Sequence, residues 1–352
     1  MKRNVVIYLT VSVAFALSFH GTALAQAPTE NERLRLENRY LRQSVDSLKK
    51  ELAALKGTTV INLWDSLEGI EEDEAYDVDY SGFGLSGRKV ETEYARSITG
   101  SVPSLMLPYD DILKKYVDFY SVTKKKSMAA IIGRYNGYLP RFRKVFATYG
   151  VPEDLIPLCI VESAVSQKAR SKAGAVGMWQ FMPATARQYG LRVDQDVDER
   201  LNVMKSADAA ARLLRDLRKS LGSWSYAVMA YNCGAGNVKK AVIKSGGVRN
   251  VWELSYYLPG ETQAYIPSLV GAAYTVIHAK ELGISPKPSY PDQTETVTAA
   301  EWTTLAEIAK AADITLSAMR NLNAEFISGR VPAGSSVRVP KGTAKKLTTT
   351  NP

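Results

Sequence analysis

Apolar residues recur every three or four positions through most of the stretch from residue 101 to residue 283, a spacing that places them on one face of an α-helix. The pattern is clearest in residues 108–126, 128–149 and 207–221. Alternation with a period of two, which indicates β-strands, is scarce there. The sequence therefore predicts a mainly α domain over residues 101–283.

The stretch after residue 294 shows a different order of elements. It predicts a strand, two helices and a strand, over residues 295–298, 303–312, 316–322 and 337–339. This order is complete within residues 295–340 and predicts a small α/β unit. Three prolines in residues 284–294 indicate a linker before it, and residues 341–352 form a polar tail.

The N-terminus carries the pattern of an export signal. Two basic residues precede an apolar run over residues 5–19. The small residues Ala23 and Ala25 then occupy the two positions that a signal peptidase recognises before its cleavage site. The apolar run is shorter than the roughly 20 residues of a membrane-spanning helix. This favours a cleaved signal peptide over residues 1–25, with an uncleaved anchor as the alternative. Because no cysteine lies beside the cleavage site, we expect an exported protein of the periplasm or cell envelope that is not a lipoprotein and has no membrane span after cleavage.

Two further segments separate the signal from the helical domain. Residues 29–56 predict a coiled-coil helix, because apolar positions and one asparagine alternate at heptad spacing: Leu34, Asn38, Leu41, Val45, Leu48, Leu52 and Leu55. Two interpretations stay open, a homodimer through this helix or a lone amphipathic helix packed on its own domain. Residues 57–100 are acidic with no sustained period, which predicts a linker.

The net charge of the chain favours an anionic partner but does not identify which one. The 352 residues include 45 Lys and Arg against 36 Asp and Glu, a formal charge of +9. Basic residues dominate between residues 101 and 290. An anionic partner is compatible with this, whether nucleic acid, anionic lipid or the carboxylate-bearing peptides of a cell wall. A solubilising surface accounts for the same charges.

Most other kinds of catalytic group can be excluded from the sequence, which leaves carboxyl side chains as the candidates for catalysis. The two histidines are His20, inside the signal, and His278, near the end of an apolar helix, so neither a His-activated nucleophile nor a His/Cys metal cluster is predicted. A phosphate-binding Gly-rich loop is also missing, and we expect no cofactor. The two cysteines, Cys159 and Cys233, are predicted to be free thiols, although export would permit a disulfide.

One carboxyl group has an unusual setting. Glu162 lies in the apolar stretch Leu155–Ser163, with Leu158 and Cys159 one helical turn before it. Burial among apolar side chains disfavours the carboxylate anion and raises the pKa, as a general acid at neutral pH requires. The alternative is a surface glutamate at the end of a buried helix.

Three motifs follow Glu162 in the chain. In the first, residues 174–186, glycines permit a tight turn and a close approach of backbone to a ligand. Within it, Gln180 offers an amide for hydrogen bonding, and Trp179 and Met182 offer apolar surface of the kind on which sugars stack. The other two lie at residues 230–236, where a helix ends on glycines, and at residues 258–265.

At these residues the chain resembles the lytic transglycosylase family, lysozyme-like enzymes of bacterial cell walls, and looks most like the membrane-bound D type. Four elements carry the likeness in order: Glu162-Ser163, Gly174–Ala186, Ala230–Gly234 and Glu261–Tyr265. Residues 295–340 resemble one lysin motif, a peptidoglycan-binding module. There Trp302-Thr303 replaces the Gly-Asp that usually precedes its first helix.

The resemblance implies a lysozyme-like helical catalytic domain with Glu162 as its sole catalytic acid and base. It implies a sugar groove lined or supported by Ser171, Gln180, Met182, Tyr231, Asn232, Glu261 and Tyr265. The implied partner is the glycan strand of peptidoglycan rather than nucleic acid. The implied reaction cleaves the bond between N-acetylmuramic acid and N-acetylglucosamine and leaves a 1,6-anhydro end. Cys233 stands where the family usually has Ala.

Two other functions stay open at this point. One is a goose-type lysozyme-like hydrolase, which would need a second carboxylate to position water; the candidates are Asp194, Asp196, Asp198 and Glu199. The other is a non-catalytic scaffold in which the coiled coil and the lysin motif hold partners together on the wall. Intact Glu162-Ser163 and Gln180 argue against the scaffold.

Overall fold

The computed structural model describes residues 88–248, 250–289 and 294–345. The predicted signal peptide and coiled-coil helix lie outside the described residues, as do the first part of the acidic linker and the end of the C-terminal tail. Among the described residues, no helix is both long and apolar enough to cross a lipid bilayer.

The predicted mainly α domain is confirmed. Before the second linker, the described residues form ten α-helices: α1 (Arg88–Thr99), α2 (Asp111–Asp118), α3 (Lys125–Thr148), α4 (Leu158–Ser163), α5 (Pro183–Gln188), α6 (Val203–Leu221), α7 (Trp224–Cys233), α8 (Ala235–Lys244), α9 (Val251–Ser255) and α10 (Gly260–Ile277). A π-helical turn at Phe119–Thr123 joins α2 to α3.

Helix α10 runs through the centre of this domain. From Tyr265 to Thr275 each of its residues is buried, which matches its apolar composition on all sides. It crosses α2 at Gly271, where a Cβ atom would lie 2.6 Å from the carbonyl oxygen of Tyr116. Only glycine fits this crossing. The close packing fixes the first turns of α10, which carry Glu261, Thr262 and Tyr265.

Part of the predicted acidic linker is structured. Residues 57–100 were assigned to a linker, but α1 covers the last part of that range. The helix is polar overall, and its apolar residues Tyr94 and Ile98 lie four positions apart on one face. Ile98 is fully buried, and the Tyr94 ring packs edge-on against Tyr274 of α10 at 6.2 Å. Tertiary packing thus stabilises a helix that its sequence alone indicates weakly.

The C-terminal unit has the predicted strand–helix–helix–strand order. It consists of β1 (Thr294–Thr298), β2 (Thr303–Thr304), α11 (Leu305–Ala311), α12 (Leu316–Leu322), β3 (Arg330–Val331) and β4 (Ser336–Pro340). Strands β1 and β4 pair antiparallel with Val297 opposite Val337, and the two-residue strands β2 and β3, which the sequence did not indicate, pair with each other. A Thr304–Glu307 capping box begins α11.

This unit does not form its core alone. Val197, from the loop before α6 of the helical domain, lies in the same cluster of buried side chains as Leu305, Met319 and Val337. Val197 also forms a β-bridge with Phe326. The sequence predicted a unit complete within residues 295–340, and this is wrong for its core, because one apolar side chain comes from the helical domain.

Candidate active site

Glu162 lies in the last turn of α4, which ends abruptly behind it. Ala164 and Val165 both adopt left-handed backbone conformations, with φ of 54° and 60°. Such conformations cost roughly 1–3 kcal/mol each in residues other than glycine. Their amides close the helix by bonding the carbonyls of Ile160 and Cys159, and the Arg134 guanidinium donates to the Ala164 carbonyl at 2.9 Å. The strained turn fixes where the Glu162 side chain leaves the backbone.

Ser163 links this helix end to the loop that follows it. Its hydroxyl is buried and lies 2.8 Å from the carbonyl oxygen of Met178, and it accepts a hydrogen bond from the Ser166 amide at 3.1 Å. The serine of the Glu-Ser pair thus connects the end of the glutamate's helix to the loop of residues 174–181.

The Glu162 carboxyl group, partly buried at the end of α4, has a strongly shifted pKa. Its pKa is raised to about 8, mainly by burial and to a smaller extent by the nearby Glu261 carboxylate. A hydrogen bond donated by the Tyr265 hydroxyl to Glu162 Oε1 acts in the opposite direction, because it stabilises the anion. The net result is a carboxyl group that is mostly protonated at neutral pH.

Two buried tyrosine hydroxyls belong to the same neighbourhood. Burial and the Glu162 charge hold the pKa of both Tyr231 and Tyr265 well above the ordinary value, so both keep their protons at neutral pH. The Tyr231 hydroxyl donates to the Trp179 carbonyl at 2.9 Å, which connects α7 to the loop. The sequence assigned Tyr265 a supporting part in the groove; in the structure it bonds the carboxyl group directly.

Trp179 is not a sugar-stacking surface. Its side chain is fully buried and packs against the rings of Phe142 and Phe146, with centroids 5.4 and 5.5 Å away. The sequence-based assignment fails because the chain turns at Gln180 and directs the indole into the core. Trp179 therefore anchors the loop, and Met182, 42% exposed, is the apolar side chain that the loop presents to solvent.

Glycine at position 177 is required by two independent features. Its φ is +87°, and a Cβ atom there would lie 2.0 Å from the Arg200 carbonyl oxygen. The close approach of backbone that Gly177 permits is therefore to Arg200 of the chain itself, whereas the sequence predicted an approach to a ligand. Ser171 closes the start of the same loop by bonding Ala175 through both its amide and its hydroxyl, at 2.9 and 3.0 Å.

Gln180, φ 47°, uses its amide nitrogen inside the loop, where it donates to the Gly177 carbonyl at 2.8 Å. Its amide oxygen is the part of the side chain available to accept from a ligand. Across the site, Asn232 at the end of α7 accepts from the Thr262 hydroxyl at 2.7 Å and so connects α7 to α10 beside the exposed Glu261. Thr262 lies inside the motif Glu261–Tyr265, but the sequence assigned it no part in the site.

A buried ion pair supports the loop from beneath. The Arg200 guanidinium donates twice to the Asp198 carboxylate, at 2.8 Å each, and to the carbonyls of Gly174 and Phe181 at 3.0 Å each. Both side chains are less than a tenth exposed. Arg200 thus connects the two ends of the loop that carries Gln180, and no motif in the sequence indicated it.

The loop before α6 contains the four acidic residues that were proposed as a second carboxylate. Asp194, Asp196, Asp198 and Glu199 each form an ion pair, with Arg192, Arg330, Arg200 and Lys205 respectively. Hydrogen bonds from Arg192 and two backbone amides hold the pKa of Asp194 at about 2. These carboxylates stabilise the loop, which leaves the hydrolase alternative without the groups it named.

The cysteines are free thiols, as predicted. Cys159 is buried one turn before Glu162, and burial raises the pKa of its thiol far above the ordinary value, which makes it unreactive. Cys233 is half-buried. Within the described ranges, no cluster of three His, Cys, Asp or Glu side chains could hold a metal ion.

Comparison with known proteins gives two family matches. Residues 141–250 match the family described as "Transglycosylase SLT domain", and residues 293–352 match "Lytic transglycosylase MltD, LysM-like domain". Glu162, Gln180 and Tyr231 fall inside the first match.

Individual relatives are similar over part of their length. Membrane-bound lytic murein transglycosylase D of Escherichia coli is 33% identical over 206 residues, which are 56% of this chain and 45% of that protein. Peptidoglycan transglycosylase gp16 of Escherichia phage T7 is 41% identical over 100 residues, 28% of this chain and 8% of that protein. The chain thus spans less than half the length of these relatives. An inactive mutant of lytic transglycosylase Slt from Pseudomonas aeruginosa superposes with a TM-score of 0.33 at 22% identity, covering 42% of this chain and 24% of that one.

Proposed function

We propose that this chain, which carries an SLT transglycosylase domain followed by an MltD-type LysM-like domain, is a lytic transglycosylase that cleaves peptidoglycan between N-acetylmuramic acid and N-acetylglucosamine. The observation that carries the proposal is the Glu162 carboxyl group, protonated at neutral pH and held by Tyr265 at the end of a strained helix turn. Relatives named as transglycosylases support the same reaction class.

One carboxyl group is sufficient for this reaction. Glycosidases in general use two carboxylates, one as acid and one as base or nucleophile. Here the protonated Glu162 donates its proton to the glycosidic oxygen as the bond to C1 breaks. The resulting carboxylate then takes the proton from the C6 hydroxyl of the muramic residue, and the C6 oxygen closes on C1. The product is a 1,6-anhydro sugar, no water is consumed, and Glu162 returns to its protonated state.

The Tyr265 hydroxyl suits both steps. Its hydrogen bond stabilises the carboxylate formed in the first step and keeps the acid from becoming too weak to donate. We assign substrate contacts to Ser171, Gln180, Met182, Tyr231 and Glu261, with Asn232 holding the ends of α7 and α10 together. The loop geometry supports Gln180 and Met182 best, since an amide oxygen and an exposed thioether remain available there.

The pH dependence of activity follows from the Glu162 pKa. Because the acid must be protonated, kcat/KM is expected to fall as pH rises through about 8. Tyr265→Phe removes a bond that lowers the pKa, so the falling limb should move to higher pH while the maximal rate decreases. Rates on soluble glycan strands between about pH 6 and pH 10 measure both effects. Tyr257→Phe, at an exposed tyrosine, is the matched control; a shift of the Tyr265→Phe limb to lower pH would contradict the assignment.

Product analysis tests the proposed function itself. Purified sacculi are digested with the full chain, and the released muropeptides are analysed by mass spectrometry. We expect anhydro ends, each lighter by one water than the corresponding reducing end. Reducing ends would instead indicate a lysozyme-like hydrolase, and binding to sacculi without soluble product would indicate a wall-binding scaffold.

The N-terminal pattern supports export to the periplasm or cell envelope, where peptidoglycan lies. We further propose that residues 29–56 join two copies of the chain, as the heptad spacing of leucines indicates. The E. coli relative is named membrane-bound.

A further inference from the structure

The LysM-like unit is fixed on the helical domain by buried polar groups. The Glu325 carboxylate, 2% exposed, accepts from the Asn202 amide at 2.7 Å and from the Arg338 guanidinium at 2.6 Å. Its backbone carbonyl accepts from the Asp198 amide at 2.8 Å. Asn202 and Asp198 belong to the helical domain and are themselves buried. These buried hydrogen bonds, together with the shared core residue Val197, join the LysM-like unit to the helical domain.

A cleft of about 400 Å³ lies between the two parts. The helical domain contributes Lys168, Arg170 and Leu201, and the LysM-like unit contributes Arg320, Asn323, Ala324, Phe326 and Ile327. Its lining therefore contains three cationic side chains and no carboxylate.

The cations of the cleft are available to a ligand. Lys168, Arg170 and Arg320 are exposed, and none of them takes part in the ion pairs found among the described residues. Lys168 donates to the amide oxygen of Asn321, a neutral group, at 2.7 Å. Ile327 is 46% exposed and adds an apolar surface beside them.

The cleft adjoins the loop that the proposed function assigns to substrate. Arg170 directly precedes Ser171 and forms a β-bridge with Val176, and the Ala169 carbonyl lies 3.4 Å from the Gln180 amide nitrogen. A glycan strand held by Gln180 would therefore have its substituents close to Arg170.

We propose that this cleft binds the carboxylates of the peptide stem that peptidoglycan carries on its muramic residues. The inference rests on the proposed function and specifies which strands the enzyme prefers, those that still bear peptide. A guanidinium binds a carboxylate through two parallel hydrogen bonds, and Arg170 and Arg320 supply two such groups, one from each part of the chain. Ile327 contacts the aliphatic parts of the peptide. Because buried contacts already join the two parts, binding needs no prior assembly of the cleft.

The test compares two substrates and two double variants of the full chain. The substrates are glycan strands with their peptides and the same strands stripped by an amidase. Arg170→Ala/Arg320→Ala removes the guanidinium groups, and Lys239→Ala/Lys240→Ala removes two exposed cations of α8 as a matched control. We expect the wild type and the control to prefer the peptide-bearing strands. The cleft variant should lose about fivefold of that preference, mainly in KM, because each exposed charge pair contributes modestly.

A binding measurement separates the possible failures. In the Glu162→Gln background, which prevents turnover, the cleft variant should bind peptide-bearing strands more weakly and stripped strands unchanged. An equal preference in wild type and cleft variant would overturn the inference and leave the proposed function intact. Absence of anhydro products from either substrate would instead overturn the proposed function. If the cleft variant lost only its sedimentation with anionic phosphatidylglycerol vesicles, the ligand would be lipid and the inference would be wrong.

Discussion

Glu162→Gln is expected to lower the rate of glycan cleavage by about 10³-fold or more, since general acid–base catalysis contributes about 10²–10⁴-fold and one side chain here performs both steps. The amide keeps the size of the carboxyl group but can neither donate a proton to the glycosidic oxygen nor take one from the C6 hydroxyl. Binding to sacculi should be preserved. Release of anhydro muropeptides over time, with sedimentation of the protein on sacculi, measures both.

A stability measurement accompanies this variant. The folded chain keeps the Glu162 proton up to about pH 8, whereas the unfolded chain releases it near 4.5. The folded state therefore binds more protons in between, so the wild type loses stability relative to Glu162→Gln as pH rises from about 4.5 to about 8. Glu281→Gln, at an exposed position, is the control and should change neither property. A Glu162→Gln enzyme with a near wild-type rate would refute the assignment.

Arg200→Leu is expected to destabilise the helical domain by about 3–5 kcal/mol, because it leaves the buried Asp198 carboxylate without a partner. The Gly174 carbonyl loses its donor as well, and the Phe181 carbonyl keeps only the Val176 amide. For a domain of this size the midpoint of thermal unfolding should fall by roughly 10 °C. Activity should fall further than stability, since the same bonds position the loop of Gln180.

A double variant distinguishes the ion pair from simple packing. In Asp198→Asn/Arg200→Leu no uncompensated charge stays buried, so part of the lost stability should return. Lys205→Ala, which removes a half-exposed lysine from its pair with Glu199, should cost less than Arg200→Leu, about 1 kcal/mol. If Arg200→Leu changed stability no more than Lys205→Ala, the buried pair would not support the loop as we infer.

The sequence predicted those parts of the site that depend on local order. Glu162 was identified because its helix is apolar, and its pKa is raised for that reason. The turn at Gly177 was expected because glycines cluster before a bulky run. Both features depend on residues that are adjacent in the sequence, and they can therefore be predicted from the sequence pattern.

Features that depend on distant residues were missed or misassigned. Trp179 was read as a sugar surface, yet only the turn at Gln180 decides that its ring enters the core. Arg200 supports a loop about 20 residues before it, and Thr262 meets Asn232 across two helices. Their side chains are ordinary polar residues in the sequence, because what distinguishes them is the partner that folding brings.

The same reasoning explains the boundary between the two parts of the chain. The order of strands and helices predicted the C-terminal unit correctly, since it follows from local periodicity. Its dependence on Val197 could not be predicted, because a single valine in an acidic loop gives no indication of the cluster that it joins.

The shared use of Val197 and Glu325 makes this C-terminal unit a poor candidate for modular exchange. A chimaera that received a lysin motif from another wall enzyme would leave Val197 uncovered and the Asn202 amide without its acceptor, unless the donor also supplied an acid at the position of Glu325. A chimaera meant to bind the cell wall of another bacterium should therefore receive the lysin motif and the loop before α6 from the same donor protein.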